Sequence, residues 1–142
     1  MRLTAFASAK FLAPALCLTL ALAPLAAGAK TPLRDVAEID DNMLWVALAI
    51  EISDKCEAIR PRTLKGFAFL ASLKGTAEDL GYTSDEINAY VDSDAEKARI
   101  RAKGEAYVKS QGFDPENTAD LCTLGRAEID RSSRIGSLLK AK

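Results

Sequence analysis

Apolar residues recur at helical spacing over most of this chain. Trp45, Ala49, Ile52, Cys56 and Ile59 step by four and three, which is one stripe of a helix, with Leu44 and Leu48 widening it. The pattern predicts a first helix from about Asp40 or Asp41, either of which can cap it, to about Ile59, where Pro61 ends it. Glu51, Asp54, Lys55 and Glu57 fall on the opposite, polar face. A second helix is expected from about Thr63 to Leu80. Leu70, Leu73, Ala77 and Leu80 form its stripe, Leu64 and Phe67 lead in, and Gly81 stands as its C′ residue. Thr83-Ser84-Asp85-Glu86 and Ser93-Asp94-Ala95-Glu96 both read as capping boxes, so a short third helix breaks near Asp92 and a fourth runs to about Gln111, stopped by Gly112. Asp114-Pro115 signals the start of a last helix, to about Arg131 or as far as Leu139, with Leu121, Cys122, Gly125 and Ile129 on one face. The tail Lys140-Ala141-Lys142 is expected to fray. No stretch alternates as a strand does. The fold class is therefore all-α: a small irregular four- to five-helix bundle.

Ahead of these helices the pattern changes. Arg2 and Lys10 precede an apolar run from Phe11 to Leu25, and Ala27-Gly28-Ala29 supplies small residues at its end. That is the layout of a secretory leader. Residues 1–29 are read as a signal peptide cleaved after Ala29. The run is short for a membrane span, which needs about 20 apolar residues. Cys17 leaves with the leader, since Leu16 is too large for a lipidation site. Residues 30–39 follow as an extended arm, because Pro32 disfavours helix at Thr31, with Leu33, Val36 and Ile39 available to pin it. Residues 40–142 make a single helical domain. Localisation is expected to be periplasmic or secreted, with no membrane span after cleavage.

Export changes the reading of the cysteines. Cys56 and Cys122 are the two left in the mature chain, and in an oxidising compartment they are expected to pair, joining the first helix to the last. A redox pair is usually closer in sequence. Pairing over this distance is worth roughly 4 kcal/mol in chain entropy.

Charge and composition then exclude much chemistry. The chain has 19 Lys+Arg, 20 Asp+Glu and no histidine. Without histidine, Ser-His and Cys-His nucleophilic sites, histidine haem ligation and most zinc sites are ruled out. No catalytic residue, cofactor or metal ligand is assigned, and no nucleic-acid partner is expected. Asp92-Ser93-Asp94 lacks the spacing of a calcium loop and reads as a helix cap. Gly66, Gly75, Gly104 and Gly125 fall inside helical patterns, where close helix approach would explain them. The densest charge feature is Lys97, Arg99, Arg101 and Lys103. On a helix Lys97 and Arg101 share one face and Arg99 and Lys103 a neighbouring one. This stripe is the candidate contact surface for an acidic protein or polyanion, unless Glu96 and Glu105 simply balance it as a solvated face.

PLRDV at 32–36, EID at 38–40, SDAEKARIRAKGEAY at 93–107, CTLGRAEI at 122–129 and IGSLL at 135–139 together resemble a family of small secreted alphaproteobacterial proteins, itself a domain of unknown function. The resemblance covers most of the mature chain. It implies an exported protein with paired Cys56 and Cys122 and transfers no functional residue. The functional expectation is a non-enzymatic exported interaction or accessory protein. The alternatives are an acid- or stress-responsive periplasmic chaperone, and a cell-wall enzyme or enzyme inhibitor.

Overall fold

The structure, a computed structural model, describes residues 30–142. The expected leader and Cys17 lie outside them. After a 3-10 turn at Leu33–Asp35, six helices run in order: α1 Ala37–Lys55, α2 Thr63–Asp79, α3 Ser84–Asp92, α4 Asp94–Ser110, α5 Thr118–Asp130 and the single turn α6 Arg134–Ser137. Two three-residue strands, β1 Ile59–Pro61 and β2 Leu139–Ala141, pair antiparallel with Arg60 opposite Lys140. The class is all-α with a small ribbon. The disulfide joins Cys56, the residue that caps the end of α1, to Cys122 in α5.

Several boundaries differ from the pattern reading, each for a physical reason. The arm is shorter and less extended: α1 begins at Ala37, so residues 37–39 are helical, and Val36 caps it without a side chain. Asp40 is not the cap. It lies inside α1 with its side chain buried. The helix stops at Lys55, and Ile59 reaches the core from β1 rather than from a helical stripe. α5 starts later than Asp114-Pro115, which forms a turn closed by Asn117 N–H to the Asp114 carbonyl, 3.1 Å. Asn117 is the cap, accepting from the N–H groups of Ala119 and Asp120. That helix ends at Asp130, because Ser132 turns left-handed (φ 51°) and Ser133 caps α6. The tail does not fray: Lys140 and Ala141 belong to β2, and Lys142 N–H donates to the Ala58 carbonyl.

Other signals hold. Thr83 and Glu86 make the reciprocal capping box of α3, and Gly81 and Gly112 take positive φ just past α2 and α4. Ser93 caps α4, but Glu96 does not return the bond; its carboxylate is used elsewhere.

Two clusters make the core. The larger sets α1 (Leu44, Leu48, Ala49, Ile52) against α4, α5, α6 and the ribbon through Ile100, Val108, Leu121, Leu124, Ile135 and Leu139. Trp45 packs at its edge against Tyr107, with ring centroids 5.3 Å apart and nearly edge-on. The smaller gathers Leu33, Ile39, Leu73, Ala77, Tyr82 and Ile87, so the arm is pinned by Leu33 and Ile39. The stripe of α2 is only half used. Leu73 and Ala77 are buried, while Leu64, Phe67 and Leu80 face water.

Close approach explains two glycines. At Gly125 a Cβ would stand 2.6 Å from both Ile52 Cγ2 and Ile59 Cδ1, and at Gly136 1.9 Å from the Glu128 carbonyl oxygen. Gly66 and Gly75 have open space instead, so packing does not account for them. Gly125→Ala is expected to cost about 1–3 kcal/mol through overpacking, read in urea denaturation; an unchanged midpoint would mean that α1 and α5 do not meet there.

Candidate functional site

α4 carries the basic run and packs along α1, and the pairing divides the run in two. Arg99 and Lys103, one turn apart, point at the buried Asp40 of α1. Arg99 Nη1 donates to Asp40 Oδ2 at 3.1 Å, Lys103 Nζ to the same oxygen at 2.6 Å, and the Tyr90 hydroxyl to Oδ1 at 2.7 Å. Arg99 Nε also donates to Glu96 at 2.7 Å, and Arg34 pairs with Glu96 from the 3-10 turn. Burial pushes the Asp40 carboxyl up, but the hydrogen bonds from Arg99, Lys103 and Tyr90 outweigh it and hold it well below the usual carboxylate range. Burial and the Asp40 carboxylate push the Tyr90 hydroxyl up. These two members of the stripe therefore hold α4 to α1, and Tyr90 ties α3 to the same carboxylate.

Lys97 and Arg101 take the other face. Lys97 reaches Asp94 at 3.7 Å and the Asp92 carbonyl at 3.0 Å, both local to the α4 start, and Arg101 has no ion pair among the described residues. Both stand on the rim of a groove of about 550 Å³ between α1 and α4. Its apolar lining comes from Val46, Ile50, Ile100, Val108 and Leu121. Gly104 faces Leu48 and Leu44 across the helix pair, where a Cβ would make ordinary contact with Leu48 at 3.4 Å. Ile50 and Val91 are exposed at its edge. The far end is acidic: Glu51, Glu105 and Glu116 surround Lys55, whose ammonium bonds Glu51 at 2.8 Å. A groove of this size, apolar inside and charged at its ends, has the dimensions of a ligand or helix-docking site.

A buried carboxylate away from the Asp40–Glu96 cluster, Glu128, had no local signal beyond its phase. It follows Leu121 and Leu124 on the inner face of α5, with Arg131 three residues on. Tyr107 donates to it at 2.6 Å and Arg131 Nε at 3.1 Å, and the Ser133 hydroxyl donates as well. Burial raises the Glu128 carboxyl, and bonds from Arg131, Ser133 and Tyr107 outweigh that and lower it. Burial, then the Glu128 carboxylate, pushes the Tyr107 hydroxyl up to about 12. Asp40 and Glu128 are both held ionised by several donors. That suits anchoring and does not suit proton donation.

Among the described residues no three Cys, Asp or Glu side chains are grouped to hold a metal ion, and no helix is long and apolar enough to cross a membrane. Neither the comparison with curated proteins nor that with solved structures returned a match. The model of a family of unknown function, DUF5333, matches residues 31–140, and the chain belongs to that family.

Proposed function

We propose that residues 30–142 act outside the cytoplasm as a non-enzymatic helical binding module that takes an acidic segment of a partner protein into the α1–α4 groove. The observation that carries this reading is the division of the basic run. Arg99 and Lys103 are consumed by Asp40, while Lys97 and Arg101 stand beside exposed Ile50 and Val91 on the rim of an apolar groove. An amphipathic helix with acids at one end fits that pattern of apolar floor and cationic rim. The leader pattern and the disulfide support export, since disulfides persist in oxidising compartments. The donor-saturated Asp40 and Glu128 support a binding role over hydrolysis.

The acid-activated chaperone reading is the second one. The carboxylates that fasten the body, Asp40 and Glu128, are depressed, so acid would loosen it only at low pH, where such a chaperone would act, but that reading leaves the groove and its cationic rim unused. A cell-wall enzyme would have to draw on Glu51, Glu105 and Glu116 at the groove's far end, where Glu51 is already bonded to Lys55, whereas an enzyme inhibitor remains a form of the same binding reading.

The test is capture from extracytoplasmic extract with the mature chain and two variants, Ile50→Glu and the pair Lys97→Glu with Arg101→Glu. Recovery of the same partner is expected to fall at least tenfold with either variant, because the apolar seat or the charge match is lost. Partner recovery indifferent to both would exclude the groove.

A further inference from the structure

The strongest unspent charge lies at the other end of the molecule. We propose that the end formed by β1, β2 and the start of α2 is a docking surface for an anionic phospholipid bilayer, held by Arg60, Arg62, Lys65, Arg134 and Lys140 and seated by Leu64 and Phe67. This goes beyond the groove and does not depend on it.

Three segments bring the five cations together. Arg60 lies directly opposite Lys140 in the ribbon. The neighbouring pairs Ile59–Ala141 and Pro61–Leu139 place Ile59 and Leu139 in the core, so by alternation Arg60 and Lys140 project from the outer face. Arg62 continues the ribbon, its N–H bonding the Leu138 carbonyl at 2.7 Å, and Lys65 follows in the first turn of α2. Lys65 and Arg134 line one shallow depression, which brings α6 to the same end. None of the five makes an ion pair among the described residues, whereas Lys30, Arg34, Lys74 and Arg131 elsewhere each have a carboxylate within 4 Å.

The fold bears this arrangement without internal compensation. Like charges directly opposite in a ribbon destabilise it. The start of α2 has no side-chain cap and no acid in its first turn, only Lys65 and the cap residue Arg62, against the preference of a helix N-terminus for negative charge. An external anionic surface would relieve each of these costs.

The apolar side chains choose among anionic partners. Leu64 is 86% exposed and Phe67 67% exposed, one turn apart on the same helix, with exposed Ala68 beside them. A soluble polyanion has no use for them. Two bulky side chains set singly among cations do not form the continuous apolar centre of a protein interface. They match interfacial binding, in which apolar groups enter the headgroup boundary and Lys and Arg stay at the phosphates. The slight acidity of the mature chain does not oppose this, because charges beyond about 8 Å are screened at physiological salt.

The test is sedimentation of the oxidised chain 30–142 with phosphatidylcholine vesicles and with phosphatidylcholine–phosphatidylglycerol vesicles. Binding is expected only to the anionic vesicles, weakening as salt rises. Arg60→Gln with Lys140→Gln should lower affinity about 25-fold, at about fivefold per cation. Leu64→Ser with Phe67→Ser should lower it at least tenfold, through lost apolar burial. Lys97→Gln with Arg101→Gln, away from this surface, should leave it unchanged. All these positions are exposed except Lys140, which is half-buried, and circular dichroism checks that each variant is folded. Absence of binding, equal binding to neutral vesicles, or an equal loss in the control pair would overturn the proposal. So would polyphosphate or polyglutamate binding as tightly with no dependence on Leu64 and Phe67, which would reassign the surface to a soluble polyanion or an acidic protein.

Discussion

Serine at both Cys56 and Cys122 is expected to lower the stability of the chain 30–142 by roughly 4 kcal/mol, and its melting temperature by about 15 °C. The bond spans 66 residues, and the loop it closes contains β1, α2, α3 and α4. Nothing else covalent limits that loop in the unfolded chain, so the entropic effect is near its upper end. The native side adds packing: Cys56 is fully buried at the end of α1, among the residues of the larger core, with its Cα 5.2 Å from that of Cys122. The loop is also loosely held along α2, whose Leu64 and Phe67 contribute little burial. Urea denaturation of the oxidised chain and the double variant measures the difference. A loss below about 1 kcal/mol would mean that the unfolded chain is already compact across this loop.

Asp40→Ala is expected to cost about 3 kcal/mol at neutral pH. Asp40 is buried, and its removal takes the acceptor from Tyr90 and one carboxylate from Arg99 and Lys103, which keep Glu96 and Asp41. The figure sits at the low end for a broken buried pair because Arg99 and Lys103 are 30% and 37% exposed and regain water. The pH dependence has a definite sign. The folded carboxyl lies well below the unfolded value of about 3.9. Its contribution is therefore complete above that value and is lost as pH falls through the folded one. Glu128 adds a contribution of the same sign. The gap between wild type and Asp40→Ala should be constant from neutral pH to about 5 and shrink below about 4. Urea titrations across that range check it; a gap that stays constant into strong acid would mean that Asp40 is not held ionised by these partners.

Local signals were legible wherever one short segment decides the outcome. Thr83 with Glu86, Gly81, Gly112 and the α1 stripe as far as Ile52 each act within a turn or two, and each appears where the pattern puts it. What needed the third dimension was misread. An aspartate at a helix start is favourable both as a cap and as a charge near the N-terminus, so Asp40 looked like a terminus. Its partners lie 59 and 63 residues away, beyond any local pattern. The same partnership hid half of the 97–103 run, which reads as dense positive charge only while its carboxylate is out of view. β1 and β2 have three residues each, too few to show alternation, and Pro61 reads equally well as a helix stop. The cationic end draws on 60–65, 134 and 140, none dense enough to stand out alone.

Export followed by oxidation underlies the proposed binding role, since a disulfide-clasped body persists in an oxidising compartment. Intact-mass analysis of the chain from the extracytoplasmic fraction of its native host, after alkylation under denaturing conditions without reductant, tests this directly. The expected product begins at Lys30, is lighter than the reduced chain by two hydrogens, and takes up no alkylating agent. A product that keeps residues 1–29, or that carries label on both Cys56 and Cys122, would contradict it.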